Sequence, residues 1–416
     1  MKEKLKKIAK NPMIFVFLII LIFYTPIAIF SPGESRNRGV ITAVGLDKVD
    51  SLYEISLLTF IPTVNQSFEE QKSLISAKGE SVAEAVYRAE IAMGRKIGLF
   101  HAKTTIVNEE LLKEDVAKHL DYLSRVASLP ENTVFVGTNK TAKELLKNSQ
   151  VSKNNVGLKL EQIVAFNTEN LYFMDTSLES FYEGYYNDTR SSIIGYLCLE
   201  DMEETDASVE KVSMSEDRGS SVQNSNQKTE EKQKTKKQEL INCGKTILLK
   251  EGKMQEILSY DDLNDINLLN PKAKNQLIKI ENVIQDGKEV NAIYQVKQKQ
   301  ILSTTRFENG YPVYFAKIIF LFELVEVEGV NEEIKVNTDL LEFTDEVKEK
   351  LDFEIKKKLS NAINILKRNG TDILELNKKF YLENRKEYKD YIKNHNGVEN
   401  FIKDIIFKVN IISEPD

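Results

Sequence analysis

The sequence predicts an α+β protein in which an amino-terminal transmembrane anchor is followed by about three domains of mixed sheet and helix. Three observations predict this class. An uninterrupted apolar run occupies residues 13–30. Beyond it, short strand-like segments alternate with amphipathic helical segments. In the last third of the chain, two long strand-like segments meet at Asn309-Gly310 and precede a helix with a continuous apolar stripe.

The apolar run is long enough to cross a membrane, because a helix over residues 13–30 would extend about 27 Å. Residues 1–12 contain five lysines and one glutamate and are expected to form a cytoplasmic basic tail. No small-x-small cleavage site follows the run. We therefore interpret it as a retained anchor, with a cleaved signal peptide as the alternative. Either interpretation places the body on the extracytoplasmic side.

Residues 36–150 are predicted to form the amino-terminal α+β domain. Ser81 with Glu84, and Thr141 with Glu144, have the spacing of a capping box at the start of a helix. Asn108 is a further candidate cap, for a helix over the next eighteen residues. The predicted strands of this domain are Val40–Leu46, Tyr53–Ile61, Thr104–Val107 and Thr133–Gly137.

Residues 151–285 are predicted to form a middle domain, with a mobile polar insert at 204–240. The insert has too few apolar side chains to offset the entropy of ordering it. Cys198 and Cys243 flank it and could lie on neighbouring strands, although two separate buried thiols are the preferred interpretation.

Residues 286–416 are predicted to form a carboxy-terminal α+β domain. Asn309-Gly310 is typical of a tight hairpin turn, and Asn369-Gly370 is typical of a left-handed cap that ends a helix. We expect a long hairpin, a helix over Asp345–Lys367, a further helix near Leu382–Lys393 and a last strand.

Charge and composition exclude some classes of protein. Residues 31–416 carry a formal net charge of −11, which is a poor match for nucleic acid. The three histidines and two cysteines do not have the paired spacings of a structural zinc site. Nucleotide-binding, calcium-binding and serine-hydrolase motifs are also missing from the sequence.

Several motifs follow one another in a characteristic order along the chain. The amino-terminal motifs are ITAVGLDK at 41–48, KGES at 78–81, FHAKTTIVNEELL at 100–112, LDYLSRVASL at 120–129 and VFVGTNKTAKELL at 134–146. A second stretch is CGKTILLKEGKMQEILSYDDLNDINLL at 243–269, and a third is KRNGTDILELNKKFYLENRKEYKDYI at 367–392. In their order and spacing these motifs resemble the Ger(x)C family, the GerAC-like C subunits of bacterial spore germinant receptors.

The resemblance implies a three-domain α+β structure on the outer face of the spore's inner membrane, beside polytopic A- and B-type subunits. It implies no catalytic residue, cofactor or metal site, and leaves contact with a small-molecule germinant open. The chain departs from the family in lacking both the lipobox cysteine and any tryptophan. Tyr388 stands where the carboxy-terminal signature prefers tryptophan. An ordinary transmembrane helix would then replace the lipid anchor.

The family-motif residues are expected to have structural roles. Asp47 ends a strand, where a carboxylate commonly closes a turn through local hydrogen bonds. His101 and Lys103 suggest proton transfer, but packing or capping is the preferred interpretation. Arg125 could pair with Asp47 or with Asp121. The full set of these residues is Gly45, Asp47, Gly79, His101, Lys103, Arg125, Gly244 and Asp372.

Two main function classes follow from the sequence. The first is a non-enzymatic receptor subunit that is tethered to the membrane and works through protein contacts. The second is a hydrolase or transferase of the cell envelope that acts on peptidoglycan, and a membrane-tethered solute-binding protein is a third alternative. Glycoside hydrolysis needs two carboxylates in one cleft, and the sequence alone does not identify such a pair.

Overall fold

The computed structural model describes residues 38–61, 71–149, 176–200, 240–273, 275–285, 288–329, 343–395 and 397–415. They form two sheets with helices packed against them, which is a mixed α+β architecture. The strands of the first sheet are β1 Arg38–Val49, β2 Leu52–Ile61, β3 Gln71–Gly79, β4 Lys96–Gly98, β5 Thr104–Asn108, β6 Val134–Thr138, β7 Ser191–Glu200, β8 Leu240–Lys250 and β9 Lys253–Leu258.

In the first sheet the strand order is β3-β2-β1-β5-β6-β7-β8-β9, and the short β4 also pairs with β1. Strands β1, β5, β6 and β7 are mutually parallel, whereas hairpins at both sides of the sheet are antiparallel. The helices between these strands are α1 Val82–Met93, α2 Glu109–Leu112, α3 Val116–Arg125, α4 Ala142–Ser149 and α5 Leu178–Tyr186.

The second sheet has the order β10-β11-β12-β13. Its last two strands are parallel and the other pairs are antiparallel. Its strands are β10 Leu277–Gln285, β11 Lys288–Glu308, β12 Tyr311–Gly329 and β13 Ile406–Pro415. The remaining helices are α6 Tyr260–Asn267, α7 Asp345–Asn369, α8 Leu376–Glu383, α9 Arg385–Asn394 and α10 Phe401–Asp404.

Two hydrophobic cores hold these layers together. One lies between the first sheet and helices α1, α2, α3 and α5. The other begins at the opposite face of the same sheet, where α4 packs, and continues through α6 to the second sheet and α7. Because this second core includes both sheets, the two parts of the chain share buried apolar surface.

Several predicted elements are confirmed. The hairpin of β11 and β12 turns at Asn309 and Gly310, whose φ angles of 53° and 83° suit the tight turn expected there. Helix α7 ends at Gly370, which has a φ of 59° and the left-handed conformation expected of the cap. The amide N of Glu144 lies 3.1 Å from Thr141 Oγ1, as the capping box at α4 requires.

Other elements differ from prediction. The single helix expected after Asn108 is broken into α2 and α3, because the amide of Val116 bonds to the carbonyl of Gly252 instead of to its own helix. The helix expected near residues 382–393 corresponds to α9, which begins three residues later, whereas the preceding helix α8 was not predicted. Strands β3 and β10 were not predicted. Leu240, the predicted end of the polar insert, is the first residue of β8.

Some predictions lie outside the described residues. These are the basic tail at 1–12, the anchor at 13–30, and the insert up to residue 239. No helix in the described part of the chain is long and apolar enough to cross a membrane. Strands on both sides of residue 150 belong to the first sheet, and the division into domains at 150 and 285 stays a prediction.

Candidate functional site

Asp47 binds the amino-terminal end of α4 with both of its carboxylate oxygens. The amide of Ala142 donates to Oδ1 at 2.7 Å, and the amide of Lys143 donates to Oδ2 at 3.1 Å. The Asp47 side chain is fully buried, and burial raises its pKa to about 6 although the two amide hydrogen bonds act in the opposite direction. The prediction that Asp47 closes a turn through local hydrogen bonds is therefore wrong. The partners come from a helix that begins 95 residues later.

Gly45 makes room for the same helix. A Cβ atom at this position would lie 2.7 Å from the Cβ of Ala142, which is too close for two carbon atoms. Next to Ala142, Lys143 forms an ion pair with Glu54. Glu54 is a buried residue on β2 and lies opposite Asp47 in the sheet. The Gly-x-Asp motif therefore docks the start of α4 onto β1.

Gly79 has a similar packing role at the end of β3. A Cβ atom here would lie 2.5 Å from the amide nitrogen of Ala85, in the first turn of α1. Ser81 caps this helix, with its Oγ 3.2 Å from the amide of Glu84. The Glu84 carboxylate accepts from the amide of Glu80, one residue before the one expected from the capping box.

His101 and Lys103 lie in the short loop between β4 and β5. The backbone of Lys103 joins two strands, because its amide donates to Thr42 of β1 at 2.9 Å and its carbonyl accepts from Val134 of β6 at 3.0 Å. His101 is exposed, with its ring centroid 4.5 Å from that of Phe100. The packing or capping role of the two side chains stays a prediction.

Arg125, at the end of α3, pairs with Asp121 at 3.0 Å and not with Asp47. Both side chains of this pair are more than half exposed. Gly244 lies on β8 opposite a register shift between Tyr196 and Cys198 of β7, where the strands accommodate an extra residue. Cys198 is buried on β7, and the side chain of Cys243 lies outside the described residues.

Asp372 in the carboxy-terminal region repeats the role of Asp47. Its two oxygens accept from the amides of Leu376 and Asn377, both at 2.8 Å, at the start of α8. Burial raises the pKa of Asp372 to about 6. The side chain of Asn377 in turn accepts from the hydroxyl of Tyr388, whose ring packs against Phe401. Tyr388 is buried.

The sequence did not predict a set of polar contacts that connect the first sheet and α6 to α7 and to the residues that follow it. Lys250, at the end of β8, donates to the carbonyls of Gly370 and Glu399 at 2.8 and 3.2 Å, and burial lowers its pKa. Lys358 of α7 pairs at 3.0 Å with Asp265, a buried residue on α6. These partners are 93 to 149 residues apart in the chain, so no local motif could identify them.

The described surface has two clefts of interest. One, of about 670 Å³, lies at the carboxyl ends of β1, β5 and β6. Charged side chains that line it pair with each other, as Lys48 does with Glu114 at 2.6 Å. The other, of about 740 Å³, lies between α6, α7 and β10 and exposes Phe353, Leu277 and Tyr260. Within the described ranges no group of three His, Cys, Asp or Glu side chains could hold a metal ion.

Comparisons with known families decide the relationship. A model described as "Spore germination protein N-terminal domain" matches residues 34–198, and one described as "Spore germination B3/ GerAC like, C-terminal" matches residues 244–414. The chain belongs to the Ger(x)C family of spore germination proteins. The gap between the two matches, 199–243, contains the predicted polar insert.

A solved Ger(x)C structure has the same fold. The crystal structure of the GerBC protein is similar to this chain with a TM-score of 0.51, over 90% of this chain and 96% of that one. The sequence identity is 11%, so this likeness concerns the fold alone. No curated protein matches the chain.

Proposed function

We propose that this protein is the extracytoplasmic C subunit of a membrane germinant receptor, anchored by residues 13–30. It acts without catalysis, through contacts with polytopic A- and B-type subunits in the spore's inner membrane. The observation that carries the proposal is the match of both Ger(x)C family models, in order, over most of the chain.

The geometry of the motif residues supports a non-catalytic role. Asp47 and Asp372 have raised pKa values, which often mark catalytic carboxylates. However, each uses both oxygens to bind the amides of a helix start. They also lie in different regions, one at α4 and one at α8. A glycoside hydrolase needs two carboxyl groups that face one cleft, so these two residues do not support the hydrolase alternative.

The cleft between α6, α7 and β10 is a suitable surface for protein contact. Phe353 is 67% exposed, and Leu277 and Tyr260 are exposed beside it, within a rim of charged side chains. Exposed large apolar groups with a polar rim are typical of protein–protein interfaces. We propose that a receptor subunit covers this cleft.

Deletion of the gene tests the proposed function. We expect spores to lose the response to particular germinants while vegetative growth is unchanged, and a copy of the gene to restore it. We also expect the abundance of this protein in the membrane to fall when its polytopic partners are deleted. A full response to every germinant in the deletion strain would contradict the proposal.

The cleft is tested by Phe353→Ser, with Leu382→Ser as a control because Leu382 is similarly exposed, at 71%, on α8. We expect only Phe353→Ser to reduce the amount of polytopic subunit that copurifies with the protein. Equal recovery with both variants would exclude the cleft as the contact surface.

The motif pair His101 and Lys103 is tested by substituting both with alanine. We expect any loss of germination to follow a loss of protein abundance through lost side-chain packing. Complete loss of germination at normal abundance would instead assign the pair a chemical or recognition role.

A further inference from the structure

The amino-terminal ends of β1 and of the strands parallel to it form one edge of the first sheet. This edge lies close to the point where the chain enters the folded body. There Arg38, the first residue of β1, pairs with Lys96, the first residue of β4. Helix α1 ends at the same edge, because Gly94 caps it two residues before β4 begins. Ile91 and Arg95, at the end of α1, and Lys96, at the start of β4, therefore lie at this edge of the sheet.

The length of the preceding segment limits the distance of this edge from the membrane. The apolar run ends at residue 30, so only residues 31–37 separate it from β1. Seven extended residues span at most about 25 Å. If the run crosses the membrane, as the proposed function holds, the edge with β1 and α1 lies within that distance of the bilayer.

This edge has the chemistry of a surface that contacts lipid. Ile91, Phe100 and Val126 are 64%, 41% and 50% exposed, and Arg95 and Lys96 are exposed beside them. A hydrogen bond of 2.9 Å from the amide of Leu99 to the carbonyl of Ala127 joins the loop that holds Phe100 to the end of α3. We call these five residues, Ile91, Arg95, Lys96, Phe100 and Val126, the membrane-proximal patch.

We infer that the membrane-proximal patch rests on the bilayer. Its apolar side chains enter the boundary between headgroups and acyl chains, and Arg95 lies beside lipid phosphates. Lys96 is already paired with Glu90 at 2.8 Å. Charge favours this orientation, because a body with a net charge of −11 is repelled by an anionic bilayer unless a basic face turns towards it. The inference rests on the proposed anchor and adds which face of the body meets the membrane.

The cleft that exposes Phe353 lies at the opposite edge of the first sheet, which is formed by the carboxyl ends of β1 and of the strands parallel to it. Strand β9 is antiparallel to β8, which is antiparallel to β7, so β9 ends at the edge where β1 also ends. Helix α6 begins just beyond β9, and its Tyr260 lines the cleft with Phe353. In the inferred orientation this cleft points away from the bilayer, so the part of a receptor subunit that covers it would extend outside the membrane.

The experiment measures the depth of single probes in the full-length chain reconstituted into vesicles of phosphatidylcholine and phosphatidylglycerol. Cys198 and Cys243 are replaced by alanine, and an environment-sensitive fluorophore is attached at Ile91→Cys or Val126→Cys. The matched controls are Phe353→Cys and Leu277→Cys, at residues that are 67% and 48% exposed in the cleft. Nitroxide groups on the lipid acyl chains quench probes that enter the membrane.

We expect at least twofold quenching at positions 91 and 126 and almost none at 353 and 277. Equal quenching at all four positions, or none at 91 and 126, would overturn the inference. A blue shift at 91 and 126 that requires high protein density, without quenching, would indicate a second copy and also overturn it. A chain that does not float with the vesicles would contradict the retained anchor itself, and the inference with it.

The contribution of charge is tested by Arg95→Glu. We expect quenching at position 126 to fall with this variant in vesicles that contain phosphatidylglycerol and to change little in phosphatidylcholine alone, because the headgroup attraction is electrostatic. Lys357→Glu, at the cleft, is the matched control and should have no effect. An equal response to both substitutions would overturn the proposed contact of Arg95 with lipid.

Discussion

Asp47 in the first sheet and Asp372 after α7 make the same contact in two regions of the molecule. Each is almost fully buried and accepts two amide hydrogen bonds from the start of a helix. They differ in where the helix comes from. The helix bound by Asp372 begins four residues later, whereas the one bound by Asp47 begins 95 residues later.

This difference determines what each contact can stabilise. A cap formed within one turn of its own helix stabilises a local segment and can form early in folding. The contact of Asp47 forms only once β1 and α4 are both in place, so it joins distant parts of the chain. We therefore expect changes at Asp47 to affect a larger part of the structure than changes at Asp372.

The largest expected effect is that of Asp47→Ala. The substitution leaves two amides at the start of α4 without their acceptor, at a cost of about 3 kcal/mol in the free energy of unfolding. For Asp372→Ala we expect about 2 kcal/mol, because this contact supports only one short local helix. Urea denaturation of the extracytoplasmic body measures both.

Hydrogen exchange distinguishes the two regions. Asp47→Ala should raise exchange in β1 and α4 together, whereas Asp372→Ala should raise it in α8 and α9 only. Asp121→Ala, which removes an exposed partner of Arg125, is the control and should change neither region. If both buried substitutions raise exchange only locally, the comparison is wrong.

The next effect is a dependence of stability on pH that the two regions share. Burial raises the pKa of Asp47 and of Asp372 to about 6, from an ordinary value of 3.8. Between these values the folded protein binds more protons than the unfolded chain, so stability falls as pH rises through this range. Each aspartate contributes stability that is fully present below about pH 4 and is lost as pH rises through about 6.

Denaturation between pH 4 and pH 7.5 tests this dependence. We expect the wild type to lose on the order of 2 to 3 kcal/mol per buried aspartate over that range, relative to Asp47→Asn or Asp372→Asn, which do not titrate. A parallel pH profile for wild type and both asparagine variants would show that the two pKa values are not raised in the folded protein.

A smaller effect, restricted to the first region, is expected for Gly45→Ala. Its Cβ atom would lie 2.7 Å from the Cβ of Ala142, and such overpacking costs about 1 to 3 kcal/mol. Combining it with Ala142→Gly removes the clash and should recover part of the loss, apart from the cost of glycine in a helix. Additive losses in the double variant would mean that the close approach of β1 and α4 is not the cause.

The same contrast explains what the sequence could predict. Caps whose partners are three or four residues away, such as Thr141 with Glu144 and the left-handed Gly370, follow from spacing alone. The contacts of Asp47 and Lys250 cross 95 and 120 residues. Such partners depend on the tertiary fold, so no local pattern could predict them.

Strand β3 shows a second limit of prediction. It is an outer strand of the first sheet, and residues 73–77 are all half-buried. A strand without a fully buried face lacks the clear alternation of apolar and polar residues by which strands are recognised. The long hairpin of β11 and β12 was predicted because Asn309-Gly310 marks its turn, and one of its faces is buried in a core.

The smallest expected effect is that of Arg125→Gln. Arg125 belongs to a family motif, but its pair with Asp121 lies on the exposed surface of α3, with side chains 69% and 56% exposed. Asp121 raises the pKa of Arg125, yet water and salt screen an exposed pair, and such pairs contribute little to stability. We therefore expect no change in the urea midpoint, at low or high salt, in contrast to Asp47→Ala. A midpoint that falls would mean that Arg125 packs more tightly than its exposure indicates. An unchanged midpoint with lost germination would assign Arg125 to contact with a receptor partner, the kind of role that neither buried aspartate could have.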